Sequence, residues 1–119
     1  MSTVQIAERL VQLCREGKDA QAQQELYADH VRSVEANGQV FEGLAALGPK
    51  GEQFYQMFEP HSNEVSAPIV SGDFFCVSMK MEVTDKSSGK RFPIEELCVY
   101  QVKEGKVVLE QFFYSTEEM

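Results

Sequence analysis

Nowhere in the 119 residues is there a run close to the ~20 consecutive apolar residues that a membrane-crossing helix needs. The start, Met1-Ser2-Thr3-Val4-Gln5, lacks the basic region and the apolar stretch of a secretory signal. Cations are scarce as well: eleven Lys and Arg stand against nineteen Asp and Glu, for a net charge of −8. A field of that sign repels polyphosphate and anionic lipid, so general nucleic-acid or membrane-surface binding is a poor reading. Cys14, Cys76 and Cys98 are odd in number, widely spaced and set among apolar residues. They read as small buried thiols in a reducing compartment, not as a disulfide framework. The expectation is a soluble cytoplasmic protein with no nucleic-acid or membrane partner.

Several catalytic signatures are also missing. There is no glycine-rich phosphate loop, no HExxH, no close pair of cysteines, and no Ser or Cys nucleophile beside a His. His30 and His61 lie far apart and do not by themselves make a metal site, so none is expected. What is present is an ordinary globular composition, 43% apolar and 25% charged. The length fits one domain over residues 1–119, with no repeat, linker or low-complexity tract. The acidic tail, residues 116–119, is expected to fray.

Apolar residues at Val4, Ala7, Leu10, Val11 and Cys14 recur at helical spacing, with Ser2 or Thr3 to cap and Gly17 to terminate. Asp19 opens a second helix that reaches about Tyr27. From His30 to Ala36 the period falls toward two, before an Asn37-Gly38 turn. A third helix spans Leu44 to Glu59, with Pro49 restarting it at its first position, and Pro60 prevents its continuation. Beyond that, the pattern predicts strands over His61–Ser71, Phe75–Thr84, Arg91–Lys103 and Lys106–Ser115, the last two joined by a Glu104-Gly105 turn. Helices first and long antiparallel strands afterwards predict an α+β domain with the helices on one face of a bent sheet.

Three phrases carry a family likeness: Glu25-Leu-Tyr-Ala-Asp-His-Val31, Phe41-Glu-Gly43, and the hairpin from Glu95-Glu96 through Glu104-Gly105 to Phe113-Tyr114. Over roughly residues 3–115 the chain resembles the SnoaL-like branch of the nuclear transport factor two-like superfamily. The resemblance implies a cone-shaped α+β barrel, a bent and mainly antiparallel sheet packed on three N-terminal helices. It also implies a conical pocket for a small, mostly apolar ligand, proton transfer by Asp, Glu, His or Tyr without metal or organic cofactor, and a homodimer formed through the sheet. Because the superfamily hosts enzymes, adaptors and assembly domains alike, the resemblance says more about fold than about function.

The candidate chemistry lies in the final hairpin. Glu110 interrupts a strand of Val, Phe and Tyr; on a concave apolar face it would be desolvated and its pKa raised toward that of a general base. On the solvent or dimer face it would instead pair with Lys103 or Lys106. Phe112 and Tyr114 share its face by period two, and Tyr114 can donate to a substrate oxygen. Of Glu95 and Glu96, one points inward. A strict two-residue turn selects Glu95, whereas one bulge selects Glu96 together with Cys98 and Tyr100. The family pattern stresses the second Glu and so favours Glu96. Around these, Glu35 is an acid in an apolar strand, Lys50 a cation in a first helical turn that wants an acidic partner, and His61 a proton shuttle near a cone mouth. Phe54, Phe58, Phe112 and Met79 are the expected apolar wall, although they equally suit a packed core.

Three functional readings follow. The first is an enzyme that isomerises, cyclises or dehydrates an apolar carbonyl compound, with Glu110 or Glu96 as base and Tyr114 or Tyr100 as donor. The second is a non-catalytic small-ligand binder. The third is a protein-interaction or assembly domain.

Overall fold

Ser2 sets the start of the first helix. Its hydroxyl accepts from the Gln5 N–H at 3.2 Å while the Gln5 side chain accepts from the Ser2 N–H at 2.9 Å, a reciprocal capping box. Helix α1, Thr3–Arg15, buries Ile6, Ala7, Leu10, Val11, Leu13 and Cys14, whereas Val4 faces outward. Gly17 ends it at φ 73°, a left-handed position that glycine occupies without strain. Helix α2, Asp19–Leu26, gives way at once to strand β1, Tyr27–Val34. These observations come from a computed structural model that describes residues 1–115; the expected fraying of 116–119 lies outside the described residues.

The remaining elements are β2 (Val40–Glu42), a 3-10 turn (Leu44–Ala46), α3 (Leu47–Met57), β3 (Phe58–Val65), β4 (Ile69–Ser71), β5 (Phe74–Asp85), β6 (Arg91–Lys103) and β7 (Lys106–Phe113). Several boundaries differ from the sequence expectation. Pro49 is the third residue of α3 and not its first, still within the turn whose N–H groups are spare. The helix stops at Met57, and Pro60 lies inside β3, which tolerates it because that strand pairs on one side only, with β5. The strand expected over His61–Ser71 is split in two, and the short β2 was not anticipated.

Among the described residues the strands form one seven-stranded sheet in the order β2-β1-β7-β6-β5-β3, with β4 also pairing β5. It is mixed, because β1 runs parallel to β7 while every other pair is antiparallel. The sheet stays open between β2 and β3, so the cone is a curved α+β sheet and not a closed barrel. Its inner face, with Val31, Phe75, Val77, Cys98, Tyr100, Val102 and Val107, forms one core with Ile6, Leu10 and Leu26. Phe75 and Tyr100 stack there at 4.7 Å between ring centroids. No helix among the described residues is long and apolar enough to cross a membrane.

One irregularity fixes which side chains face inward. Val102 pairs with Val107, but the next pair is Gln101 with Leu109, leaving Val108 as an extra residue on β7. The ladder resumes with Tyr100 opposite Glu110 and Cys98 opposite Phe112, so Glu110 follows buried Tyr100 to the inside. Without the bulge, Glu110 would pair with Val99 and face out. Deleting Val108 should therefore leave a regular ladder with Glu110 still inward. The expected variant folds, with a loss of about 1–3 kcal/mol in urea unfolding and an unchanged m-value. Failure to fold would show that Val108 does more than set register.

Candidate functional site

Three rows of side chains cross the inner face near the paired ends of β1 and β7. The first runs Ser33, Glu110, Tyr100 and Phe75; the second passes through Phe112, Cys98 and Val77; a third joins Glu96 to Met79. Glu110, only 3% exposed, is the charged side chain at the centre. Tyr27 donates its hydroxyl to Glu110 Oε2, and Ser33 donates to Oε1 at 2.8 Å. Lys50 Nζ, on the first turn of α3, donates to Ser33 Oγ at 3.0 Å. An ammonium has no lone pair, so Ser33 accepts from Lys50 and its own proton is directed at Glu110. Burial raises the Glu110 carboxyl, while the Tyr27 hydroxyl, the Lys50 charge and Ser33 pull it back. The Tyr27 phenol is pushed well up by burial and by the neighbouring carboxyl.

Lys50 also ion-pairs with Glu35, and its ammonium lies 4.6 Å from the Phe112 ring centroid and 5.2 Å from that of Phe41. Tyr114 donates to Glu35 Oε2 at 3.4 Å, a long bond, and burial followed by the Glu35 charge raises its phenol. Glu96 is placed differently from Glu110. Its only near partner among the described residues is the Cys98 thiol, a weak donor at 3.7 Å. Burial and then the charge of Glu35 bring its carboxyl up to about 7. The Cys14 and Cys98 thiols are held protonated: burial takes Cys14 to about 12 and Cys98 higher still, so neither is a nucleophile at neutral pH.

The structure thus gathers Glu35, Lys50, Glu96, Tyr100, Glu110, Phe112, Tyr114 and Met79 on one face. Glu95 points outward, near Lys80. His61 does not join them. A register shift between Pro60 and Ser62 leaves it exposed on the edge strand, with Nε2 2.6 Å from Thr84 Oγ1. Phe54 and Phe58 also stand apart: their ring centroids are 5.2 Å from each other, and that of Phe58 is 5.9 Å from Phe92. Phe92 is four residues up β6 from Glu96, roughly 13 Å by strand rise.

Sequence reasoning missed Tyr27 and Ser33. Ser33 had a signal, since it alternates with Val31 and Glu35 and any inward Glu35 brings it along. Tyr27 had none, because it sits where α2 becomes β1. A cavity of about 230 Å³ lies at the ends of β1 and β7, lined by residues 34–36, Gly38 and residues 111–114; of the cluster it touches Glu35, Phe112 and Tyr114 but not Glu96 or Glu110. A larger one, about 430 Å³, lies between α1 and the Ala67-Pro68 loop and touches none of these groups. Among the described residues no three His, Cys, Asp or Glu side chains converge as a metal site.

The sequence profile of the SnoaL-like domain matches residues 1–114. A crystal structure from Mesorhizobium loti, provisionally named a SnoaL-like polyketide cyclase, is 34% identical, with a TM-score of 0.91 over 96% of this chain and 100% of that one. An NTF2-like protein of unknown function from Burkholderia pseudomallei shares the fold at 18% identity, with a TM-score of 0.83 over 100% and 95% of the two chains. So does TerC, crystallised with polyporic acid, at 15% identity and a TM-score of 0.81 over 98% and 93%. No curated protein matches. With nearly its whole length matched by the profile and a one-third-identical relative superposing along it, the chain belongs to the SnoaL-like domain family.

Proposed function

We propose that the protein is a cofactor-independent enzyme acting on a small, mostly apolar carbonyl compound, with Glu96 as the group that moves the proton. One observation carries this reading. Glu96 is an inward carboxyl brought up to about 7 with no strong donor on its oxygens, whereas both oxygens of Glu110 are occupied. A base works best when its pKa is near the working pH and it can reach the proton. Glu110 is therefore a positioning group and Glu96 the base, a choice between the two that the sequence left open. Glu96 removes a proton from the carbon beside the carbonyl, and Tyr114, freed from its long bond to Glu35, donates to the developing enolate oxygen. Returning the proton to another carbon isomerises the compound. Attack of the enolate carbon on a second carbonyl cyclises it, and departure of a β-hydroxyl as water dehydrates it. The ligand enters beside Glu35 and Tyr114 and lies along Met79.

The test needs no natural substrate. In D2O the protein should speed deuterium incorporation alpha to the carbonyl of 1-tetralone above the buffer rate, followed by NMR. The rate should rise with pH to a plateau above about 7, as Glu96 ionises. Glu96→Gln should lower it by 10²-fold or more. Undiminished exchange in that variant would sink the assignment, and binding without exchange would favour a non-catalytic binder.

The same carboxyl ties stability to pH. Its folded value, about 7, lies above the ordinary 4.5, so the fold disfavours its charged form. Below pH 4.5 it is protonated folded or unfolded and nothing is lost. Between 4.5 and 7 the unfolded chain ionises first and stability drops; above 7 the whole penalty applies. Glu96→Gln should match the parent near pH 4 and exceed it at pH 8 by on the order of 3 kcal/mol in urea unfolding. Equal stability at both pH values would remove the raised carboxyl from the argument.

The outer face of the sheet is where we place a second copy of the chain. Leu97 and Phe113 stand opposite each other in register, 54% and 48% exposed, with half-buried Cys76, Val99 and Leu109 beside them. Sedimentation should report twice 13.4 kDa, and Leu97→Glu should return the single-chain mass. A monomeric parent protein would refute the dimer.

A further inference from the structure

Two side chains tie the C-terminal end of α1 to β3. Arg15 donates through Nε and Nη2 to the Val65 carbonyl at 3.0 and 2.9 Å, and Asn63 Nδ2 donates to the Cys14 carbonyl at 2.7 Å. The second bond fixes the sense of the Asn63 amide. A carbonyl only accepts, so the NH2 must face Cys14 and Oδ1 must turn away. That oxygen is buried, and among the described residues no N–H or O–H answers it. Buried acceptors are nearly always paired, so this one calls for a donor that the described chain does not supply.

Its place in the sheet says where such a donor would come from. Asn63 is opposite Met81 on β5, and Met81 is opposite Ile94 on β6; the adjacent row runs Val65, Met79, Glu96. Opposed residues of an antiparallel pair share a face, so Asn63 is on the inner face with Glu96. Two strand spacings and one pair step separate them, roughly 12 Å between Cα atoms. Between them lie Met79, Met81 and Ile94. Two of these are unbranched thioethers, which reshape easily around a guest.

We infer that Asn63 is a second polar contact of the proposed pocket, and that the ligand is a rigid apolar carbonyl compound bearing a hydroxyl or N–H donor at the end remote from its carbonyl. The inference rests on the reading of Glu96 given above. The carbonyl end lies at Glu96 and Tyr114, the body on the methionines and Ile94, and the remote donor on Asn63 Oδ1. Oδ1 is buried, so the donor reaches it only as a neighbouring side chain moves aside, and Met81, opposite Asn63 in register, is the nearest pliable one along the strand pair. A ligand without the donor leaves the acceptor orphaned and binds more weakly.

Calorimetric titration of the intact protein with 1-tetralone, 6-hydroxy-1-tetralone and 6-methoxy-1-tetralone tests this. Asn63 Oδ1 accepts only, so the hydroxyl compound should bind roughly 5- to 100-fold tighter than 1-tetralone, while the methoxy compound, which has no donor, should show no such gain. In Asn63→Leu the ratio of hydroxylated to plain ketone should fall to about 1. Equal binding of the hydroxyl and plain ketones, a gain shared by the methoxy compound, or a preference that survives Asn63→Leu would overturn the inference and leave Glu96 untouched. That last pattern would make Asn63 only a strap on α1. Binding of none of the three would overturn the pocket itself and this inference with it. Should Asn63→Leu fail to fold, the hydroxyl and methoxy comparison in the parent protein decides alone.

Discussion

A carboxyl group shut into the inner face of the sheet is the constraint around which the rest is arranged. An ionised carboxyl in a dry interior is costly unless its oxygens are hydrogen-bonded and its charge is answered. Glu110 meets that condition through elements far apart in sequence. Tyr27 comes from the junction of α2 and β1, Ser33 from the far end of β1, and Lys50 from the first turn of α3, the last acting through the Ser33 hydroxyl. Each donor fixes the position of its own element against β7. Removing any one would leave a buried acceptor short of a partner, the kind of loss that exceeds the worth of the bond itself.

Lys50 explains how a cation sits comfortably in the first turn of a helix, where the exposed N–H groups oppose it. It is flanked by the Glu35 carboxylate, the Ser33 oxygen and the faces of two aromatic rings, which together outweigh the helix end. One ammonium is shared among three inward carboxyls, and its direct ion pair goes to Glu35. Glu110 receives the Lys50 charge through a hydroxyl; Glu96 has no such link and feels Glu35 as a like charge. The same arrangement that makes one carboxyl structural leaves another near neutrality.

The fold was legible where patterning is strong. A hydroxyl cap at Ser2 or Thr3, of which the structure uses Ser2, the alternation through β5 and the tight turn at Glu104-Gly105 each follow from local chemistry that a single sequence displays. The family phrases, lying at the α2–β1 junction, in β2 and in the last hairpin, pointed to the same architecture. What stayed hidden depends on single-residue register. Val108 is an ordinary strand residue, and nothing in Val107-Val108-Leu109 announces an extra residue, yet its presence decides whether Glu110 faces in or out. Tyr27 reads as the end of a helix because an abrupt change to strand leaves no Gly or Pro behind. Asn63, amid the polar residues of β3, gives no sign that its neighbour is the end of α1. His61 looked poised at a cone mouth, but an edge strand with a register shift turned it to solvent.

The inner face also changes character across the sheet, and that gradient bears on function more directly than family membership does. Near β1 and β7 it carries Ser33, Glu110, Tyr114 and, across the ladder, Glu96; toward β3 it carries Met79, Met81, Ile94 and Phe92. A uniformly apolar face would merely pack against helices, and a uniformly polar one would fill with water. A face with its carboxyls at one end and pliable apolar side chains toward the other suits a guest with its reactive oxygen at one end of a hydrocarbon frame. The 34% identity to the Mesorhizobium loti protein transfers the architecture, because curvature and core tolerate many substitutions of similar volume. It does not transfer the gradient. That depends on Glu96 and not Glu95 facing inward, on the bulge in β7 that brings Glu110 to the same side, and on Lys50 standing over Glu35 and Ser33.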